Sequence, residues 1–161
     1  SRRGDYEVEF LVSANVGEPP KPLAKIASGG EISRIMLAMK NVLADTDLVP
    51  TMVFDEVDTG VSGRAAQKIG YKLRETAHNK QVICVTHLPQ VASQADCHYL
   101  IEKSVHSQRT YTQVHEIEGE ARVREIARMT AGDKLTPVAL ENAREMLAQA
   151  VPAAKQTKEK G

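Results

Sequence analysis

In the stretch Met52-Val53-Phe54-Asp55-Glu56, three successive apolar residues are followed directly by two acids. A second run, Val82-Ile83-Cys84-Val85, ends in a similar way at Thr86-His87. Short continuous apolar runs predict strands that are covered on both faces, as in a parallel sheet. Between the two runs, apolar side chains recur at helical spacing, namely Ala65, Ala66, Ile69, Leu73 and Ala77. Strand, helix and strand in succession predict a βαβ unit with parallel strands.

Further elements are predicted before this unit. A first strand is indicated by alternating apolar residues, Tyr6, Val8, Phe10 and Val12. The proline-rich residues 17–22 predict a loop that sustains neither a helix nor strand pairing. Apolar residues then form one helical stripe from Ile32 to Leu43, and the polar residues 45–47 end the helix.

After the second buried run, the pattern predicts a short helix, a hairpin and two closing helices, over 89–95, 97–103 with 110–117, 122–131 and 137–150. We therefore expect an α/β fold with a mainly parallel sheet flanked by helices, plus a C-terminal hairpin and two helices. Residues 1–151 form one lobe in this interpretation. The Lys-rich residues 152–161 are expected to be a flexible tail.

Composition restricts the classes of function. The 161 residues are 42% hydrophobic and 26% charged, which is typical of one soluble globular domain. Lys and Arg number 21, as do Asp and Glu, so the chain lacks the overall positive charge of a DNA-coating protein. The sequence contains no membrane span or secretory signal and only two cysteines, so we expect an intracellular protein. Because it begins at Ser1 without Met, we also expect a piece of a longer chain.

The acid pair Asp55-Glu56 lies where ligands bind in a parallel sheet, beyond the carboxyl ends of the strands. One carboxylate can hold Mg²⁺ through the water shell of the ion, and the other can take a proton from an attacking water. Alternatively, the pair only caps a turn. His87 at the matching end of the next run favours the first interpretation, although a lone histidine is often only a structural hydrogen-bonding group.

The tetrapeptide Ser28-Gly29-Gly30-Glu31 opens the first long helix. Ser28 and Glu31 have the spacing of a capping box, which is a purely structural role. The two glycines indicate more, because they let another backbone come close, and free N–H groups at a helix start attract phosphate oxygens.

Taken together, SGGE (28–31), MVFDEVDTGVSG (52–63) and VICVTHLPQVA (82–92) resemble the C-terminal half of an ABC-type ATPase head. The three segments correspond to the signature motif, to the Walker B motif with its D-loop, and to the switch histidine. Within that superfamily the three segments resemble those of the RecN family, the SMC-like ATPases of bacterial DNA double-strand-break repair. The resemblance covers roughly Val8 to Ala148 and implies a P-loop NTPase-like fold.

The resemblance also implies roles for individual residues. Asp55 would bind Mg²⁺ through water, Glu56 would be the general base, and His87 would contact the γ-phosphate of ATP. Asp58 would lie at the interface between two heads. The signature residues would face outward and contact the nucleotide held by the partner head; they are Ser28, Gly29, Gly30 and Glu31.

The implied partners are an N-terminal P-loop lobe of the same protein, a second head in a nucleotide-sandwiched homodimer, and DNA through the full-length protein. The sequence contains no GxxxxGK(S/T) motif, so we expect the isolated chain to bind and hydrolyse ATP poorly. The implied location is the cytoplasm, in association with the nucleoid, with no membrane contact. Arg122, Arg124 and Arg128 recur on one helix and are candidates for phosphate contact, although helix arginines are usually only solvated.

Two alternatives remain. The lobe could be a non-catalytic interaction module that docks with the N-terminal lobe or a partner head. It could also belong to a transporter ATPase, but transporter cassettes usually read LSGGQ and place Asp after the switch histidine. Glu31 and Leu88 occupy those positions here, which favours the SMC-like branch.

Overall fold

The structure is a computed structural model that describes residues 8–13, 17–26, 28–43, 48–106 and 109–150. Several predicted features lie outside these residues: the strand position Tyr6, the helix-ending residues 45–47 and the tail 152–161.

Twelve elements follow one another along the described residues. The first four are β1 (Leu11–Val12), β2 (Lys21–Pro22), α1 (Leu23–Ile26) and α2 (Gly29–Val42). The central four are β3 (Thr51–Phe54), α3 (Gly63–Thr76), β4 (Gln81–Cys84) and α4 (Pro89–Ala92). The last four are β5 (His98–His106), β6 (Arg109–Ile117), α5 (Gly119–Ala131) and α6 (Pro137–Gln149). The order of these elements is the order that the sequence predicts, apart from β2 and α1.

The central pair of strands confirms the predicted βαβ unit. β3 and β4 pair in parallel, with Met52 opposite Val82 and Phe54 opposite Cys84. The side chains that point to the covered face pack in a cluster with apolar residues of α2, α3 and α4, namely Leu37, Met52, Phe54, Val57, Ile69, Leu73 and Val91. Both strands end at the same edge, so Asp55-Glu56 and Thr86-His87 emerge side by side.

The prediction that both faces of these strands are covered is wrong. Val53 points away from the cluster and is 66% exposed, and Ile83 on the neighbouring strand is 47% exposed. The helices that pack on the sheet contribute to one cluster on one face. Among the described residues, the opposite face of β3 and β4 carries apolar side chains that this chain leaves open to solvent.

The predicted loop over 17–22 also differs from the structure. Lys21 and Pro22 pair with β1 in antiparallel register, with Leu11 opposite Pro22 and Val12 opposite Lys21. A two-residue ladder tolerates proline, because proline still offers its carbonyl and lacks only the N–H group. The Leu23 N–H extends the contact by donating to the Phe10 carbonyl at 2.8 Å.

The C-terminal part confirms the predicted hairpin and two helices. β5 and β6 pair in antiparallel register from His98 opposite Ile117 to His106 opposite Arg109. α5 and α6 form a second cluster with the end of α4, built from Ala92, Val123, Ile126, Ala127, Ala139 and Ala143. Since α4 contributes Val91 to the first cluster and Ala92 to the second, this short helix joins the two.

Candidate functional site

The acid pair follows β3 in a sharp turn. Glu56 has a φ of 58°, in the left-handed region that side-chain-bearing residues seldom adopt. Its N–H donates to Asp55 Oδ1 at 2.9 Å, so one Asp55 oxygen caps the turn. Both side chains are exposed. The turn-capping interpretation therefore applies to one oxygen of Asp55, while the Glu56 carboxylate projects from a backbone that is held in an uncommon conformation.

The capping box at the start of α2 is present. The Glu31 N–H donates to Ser28 Oγ at 3.4 Å, and the Ser28 N–H donates to Glu31 Oε2 at 2.8 Å. The Ser28 hydroxyl also donates to the same carboxylate oxygen at 3.0 Å. These hydrogen bonds, from the Ser28 backbone first and its hydroxyl second, lower the pKa of Glu31 from its ordinary value of 4.5. Glu31 thus fixes Ser28 at the helix start.

Two side chains of α2 tie the helix to the turn that carries the acids. The Ser33 hydroxyl donates to the Asp55 carbonyl at 2.8 Å. Arg34 Nη1 donates to the Thr59 carbonyl at 2.8 Å and to the Val57 carbonyl at 3.4 Å. No recognised motif includes Ser33 or Arg34, and the only signal in the sequence is that these two polar residues directly follow SGGE.

The glycine pair lies against the same turn. A Cβ on Gly29 would collide with the Glu56 carboxylate, and a Cβ on Gly30 would lie 3.0 Å from the carbonyl oxygens of Glu56 and Thr59. The prediction that glycine here permits a close backbone approach is therefore confirmed within the chain. The expectation that both glycines face outward is wrong for Gly30, which is buried, whereas Ser28 and Gly29 are exposed.

The end of β4 is bound to the same turn through Asp58. The Asp58 side chain is 2% exposed, and its Oδ2 accepts the Thr86 hydroxyl at 2.5 Å and the His87 N–H at 3.1 Å. Nδ1 of His87 lies 3.3 Å from the same oxygen, and the imidazole is otherwise 70% exposed. The Asp58 carboxylate is thus enclosed by groups of its own chain, and the expectation that Asp58 lies at an interface between two heads stays a prediction.

The thiol of Cys84 lies near the acids that follow β3. Burial raises the pKa of Cys84 to about 12, and the charges of Asp58 and Asp55 add to the effect. Among the described residues, no three acidic, histidine or cysteine side chains are grouped so as to enclose a metal ion. The free Asp55 oxygen suits a hard cation that keeps most of its water shell, since Mg²⁺ usually takes only one or two protein carboxylates.

The arginines of α5 have separate roles. Arg122 Nη2 donates to the Ala95 carbonyl at 2.6 Å and to the Ser93 carbonyl at 3.3 Å. Arg128 binds both oxygens of the buried Glu125 carboxylate, at 2.7 Å and 2.8 Å. Arg122 and Arg128 therefore serve the fold. Of the three predicted phosphate contacts, only Arg124 points to solvent without a described side-chain bond.

The curated proteins that resemble this chain in sequence, described below, share one name. No protein-family model matches the sequence. The DNA repair protein RecN of Treponema pallidum is 48% identical over 149 residues, which is 91% of this chain and 26% of that protein. RecN of Halalkalibacterium halodurans is 52% identical over 144 residues, or 89% of this chain and 26% of that protein. RecN of Bacillus subtilis is 49% identical over 143 residues, with 89% and 25% covered. The chain thus spans about a quarter of the length of these curated relatives.

A solved structure agrees in fold. It comes from work on the ATP-driven dimerization and DNA-stimulated activation of SMC ATPases, and it matches with a TM-score of 0.50 at 19% identity. The match covers 73% of this chain and 70% of that one. Among the described helices, none has both the length and the apolar composition needed to cross a bilayer. The chain has the fold of an SMC ATPase head segment, and over about one quarter of their length it is similar in sequence to the DNA repair proteins named RecN.

Proposed function

We propose that this chain is the part of a RecN-type ATPase head that supplies the hydrolytic residues, and that a P-loop lobe must join it before ATP is turned over. One observation carries the proposal. Direct hydrogen bonds tie the start of α2 and the end of β4 to the turn after β3, through Arg34 to Thr59 and through Thr86 to Asp58. The three motif segments therefore meet within a single chain. We call the surface that they form the rim; it consists of residues 28–31, 52–63 and 82–92.

Glu56 is the proposed general base. Its carboxylate is exposed, lies next to the start of α2 and projects from a left-handed backbone position that other contacts hold in place. A carboxylate in that position can accept the proton of a water that attacks the terminal phosphate. Asp55 is the proposed holder of Mg²⁺ through water, with its unbonded oxygen. The Mg²⁺-bound triphosphate supplies an electrophilic phosphorus and a leaving group, and the residues of this chain supply the proton acceptor.

The remaining rim residues have proposed binding roles. His87 presents an exposed imidazole that can contact the γ-phosphate. Ser28 and Gly29 are exposed at the positive end of the α2 dipole, which suits contact with the nucleotide held by a second head. Gly30 and Glu31 support that surface from within, because Gly30 packs on the turn and Glu31 holds Ser28. Asp58 supports His87 and does not itself contact nucleotide.

The proposed cellular role is DNA repair in the cytoplasm, in association with the nucleoid. Two heads would clamp two ATP molecules, and hydrolysis would separate them and so control how the full-length homodimer holds DNA. No DNA contact is assigned to a residue of this chain, since its net charge is zero and two of the three candidate arginines bond within the fold. The family names of the relatives and the SMC fold support this role.

The test mixes the purified chain with a separately purified P-loop lobe of a RecN protein and measures phosphate release. We expect little turnover from the chain alone and clear turnover from the mixture. Glu56→Gln should then lower kcat by about 10²–10⁴-fold, as is usual when a general base is removed. Glu141→Gln on α6 is the matched control, since Glu141 is exposed and far along the chain from the rim. A loss of only a few-fold in Glu56→Gln would remove Glu56 from the mechanism.

A second candidate function is favoured by the open face of the central sheet. We define this open sheet face by Val53, Ile83 and Val85, which are 66%, 47% and 50% exposed. Apolar patches left open on a domain commonly mark contact surfaces. In the alternative, this chain only docks with the P-loop lobe or with a partner head and contributes no catalytic group. The mixture would then form a complex whose turnover does not depend on Glu56.

A further inference from the structure

Asp58 is a buried carboxylate for which the proposed hydrolysis has no direct use. It is 2% exposed, and it lies in the turn after β3, three residues beyond Asp55. Burying a carboxylate costs free energy unless hydrogen bonds compensate for the lost water. Here Thr86 and His87 at the end of β4 provide the compensation, because they make every described contact of Asp58 Oδ2.

The contacts hold His87 from both sides of its backbone. The Thr86 hydroxyl donates to Asp58 at 2.5 Å and accepts the Leu88 N–H at 3.1 Å. The His87 N–H donates to the same Asp58 oxygen at 3.1 Å. The segment from Thr86 to Leu88 is thereby fixed at the start of α4, and the imidazole of His87 is left with its Nδ1 edge 3.3 Å from the carboxylate.

We propose that Asp58 is the positioning residue for His87, and that its carboxylate keeps the proton of the neutral imidazole on Nδ1 and leaves Nε2 unprotonated. A carboxylate can only accept hydrogen bonds, so a ring nitrogen 3.3 Å from one is favoured to carry the imidazole proton. A neutral imidazole has a single ring proton, so Nε2 then carries a lone pair. The same logic operates in catalytic triads, where a buried Asp selects the histidine tautomer.

This assignment rests on the proposed function only for the identity of the ligand; the tautomer is a property of the chain alone. It also narrows what His87 can do. With Nδ1–H directed at Asp58, neutral His87 accepts a hydrogen bond through Nε2. It can donate to a phosphate oxygen through Nε2 only as the imidazolium, which carries a proton on both nitrogens.

The chain contains its own comparison pair. His115 Nε2 lies 3.3 Å from Glu102 Oε2 on the hairpin, the same separation as between His87 and Asp58. In that pair the side chains are 44% and 57% exposed, whereas the Asp58 side chain is 2% exposed. Because water competes freely for an exposed carboxylate, the His115 pair should leave its tautomers in exchange. A difference in tautomer between His87 and His115 is therefore caused by the burial of the Asp58 carboxylate, because the two N···O distances are equal.

The test is a long-range ¹H–¹⁵N correlation spectrum of the ¹⁵N-histidine-labelled chain, without nucleotide, at a pH where the imidazoles are neutral. His87→Gln assigns the His87 signals. We expect His87 in the Nδ1–H form and His115 as a mixture or in the Nε2–H form. Asp58→Asn should release His87 from the Nδ1–H form into a mixture of tautomers, because a neutral amide attracts the ring proton less than a carboxylate does, and Glu102→Gln should leave His87 unchanged.

The proposal is overturned if wild-type His87 is in the Nε2–H form, if it averages like His115, or if folded Asp58→Asn keeps the wild-type pattern. Should Asp58→Asn not fold, the wild-type spectrum decides alone. In the mixture with the P-loop lobe, folded Asp58→Asn should lower kcat with little change in KM. An Nδ1–H tautomer together with full turnover in Glu56→Gln would sink the proposed function and leave the positioning of His87 standing.

Discussion

Gly29 and Gly30 are neighbours in the sequence, yet a methyl group would meet different atoms at each. At Gly29 it would meet the end of the flexible Glu56 side chain, and at Gly30 it would meet backbone carbonyl oxygens of Glu56 and Thr59 at 3.0 Å. A side-chain end can rotate away, whereas a backbone that is bonded to Arg34 cannot move without losing those bonds. The two glycines therefore have separable roles, one for the position of a carboxylate and one for packing.

We expect Gly30→Ala to destabilise the chain by about 1–3 kcal/mol, the usual cost of overpacking. Gly29→Ala should be neutral or slightly stabilising, because alanine favours a helix over glycine by about 1 kcal/mol. Urea unfolding followed by far-UV circular dichroism measures both variants. In the reconstituted ATPase, Gly29→Ala should nevertheless lose turnover, since the methyl group displaces the Glu56 carboxylate. Equal stability losses in the two variants would contradict this account of the rim.

Glu31 gives the capping box a defined pH dependence. Hydrogen bonds from Ser28 lower the pKa of Glu31 below 4.5 in the folded chain. A carboxyl group with a lowered folded pKa contributes stability above its unfolded pKa, and this contribution is lost as the pH falls through the folded value. The stability difference between wild type and Glu31→Gln should therefore be full at pH 7 and shrink below pH 4.5.

Urea unfolding of both proteins at neutral and acid pH measures that difference. Glu141→Gln serves as the control for removal of one exposed negative charge, because Glu141 contacts only Arg144 among the described side chains. A difference between wild type and Glu31→Gln that stayed constant with pH would show that the capping box is not formed in solution.

The strands β3 and β4 show how far sequence pattern could predict this structure. Their positions, their parallel pairing and the helix between them follow from apolar runs and helical spacing, which local sequence carries directly. Whether a face is covered depends on what packs against it, so Val53 is as apolar as Met52 and yet is exposed. A short apolar run has the same sequence whether the element that covers it belongs to this chain or to another one.

The rim likewise has some features that the sequence predicts and others that depend on packing. Its motif residues were predicted to meet at one edge, because the carboxyl ends of parallel strands lie together. The inward direction of Asp58 was not predictable, since it follows from the left-handed turn at Glu56, a conformation that residue types do not encode. Likewise the roles of Ser33 and Arg34 depend on how α2 lies across the turn, which is a property of packing.

The two faces of β3 predict opposite outcomes for the same substitution. Met52→Asp places a charge in the first cluster, where Met52 is 6% exposed, and should cost more than about 3 kcal/mol or prevent folding. Val53→Asp should change the stability of the isolated chain by no more than about 1 kcal/mol, the span of strand propensities. Urea unfolding compares the two. If the open sheet face docks with the P-loop lobe, Val53→Asp should also abolish the complex in sedimentation experiments; an unchanged complex would place the contact elsewhere.

The two apolar clusters of the chain meet at α4, and arginines secure that junction. Arg74 of α3 donates to the Gln94 carbonyl at 2.6 Å, and Arg122 of α5 donates to carbonyls of residues 92–95. Both arginines therefore bind the short segment that follows α4. Burial lowers the pKa of Arg122, which is consistent with a guanidinium withdrawn from water by its neighbours. A charge committed to carbonyl groups in this way is not free to bind DNA phosphates.

Arg122→Ala should for this reason weaken the whole fold and not a DNA contact. We expect a loss of about 2–3 kcal/mol, since a charged donor is removed and its acceptor carbonyls lose their partner. Arg124→Ala, two residues away on the exposed side of α5, is the matched control and should stay within about 0.5 kcal/mol of wild type. If Arg122 contacted phosphates instead, its substitution in a full-length RecN protein would leave stability unchanged and reduce the salt dependence of DNA binding. Unfolding curves and DNA titrations at several salt concentrations separate the two outcomes. A small loss of stability combined with a weaker salt dependence would show that Arg122 contacts DNA phosphates.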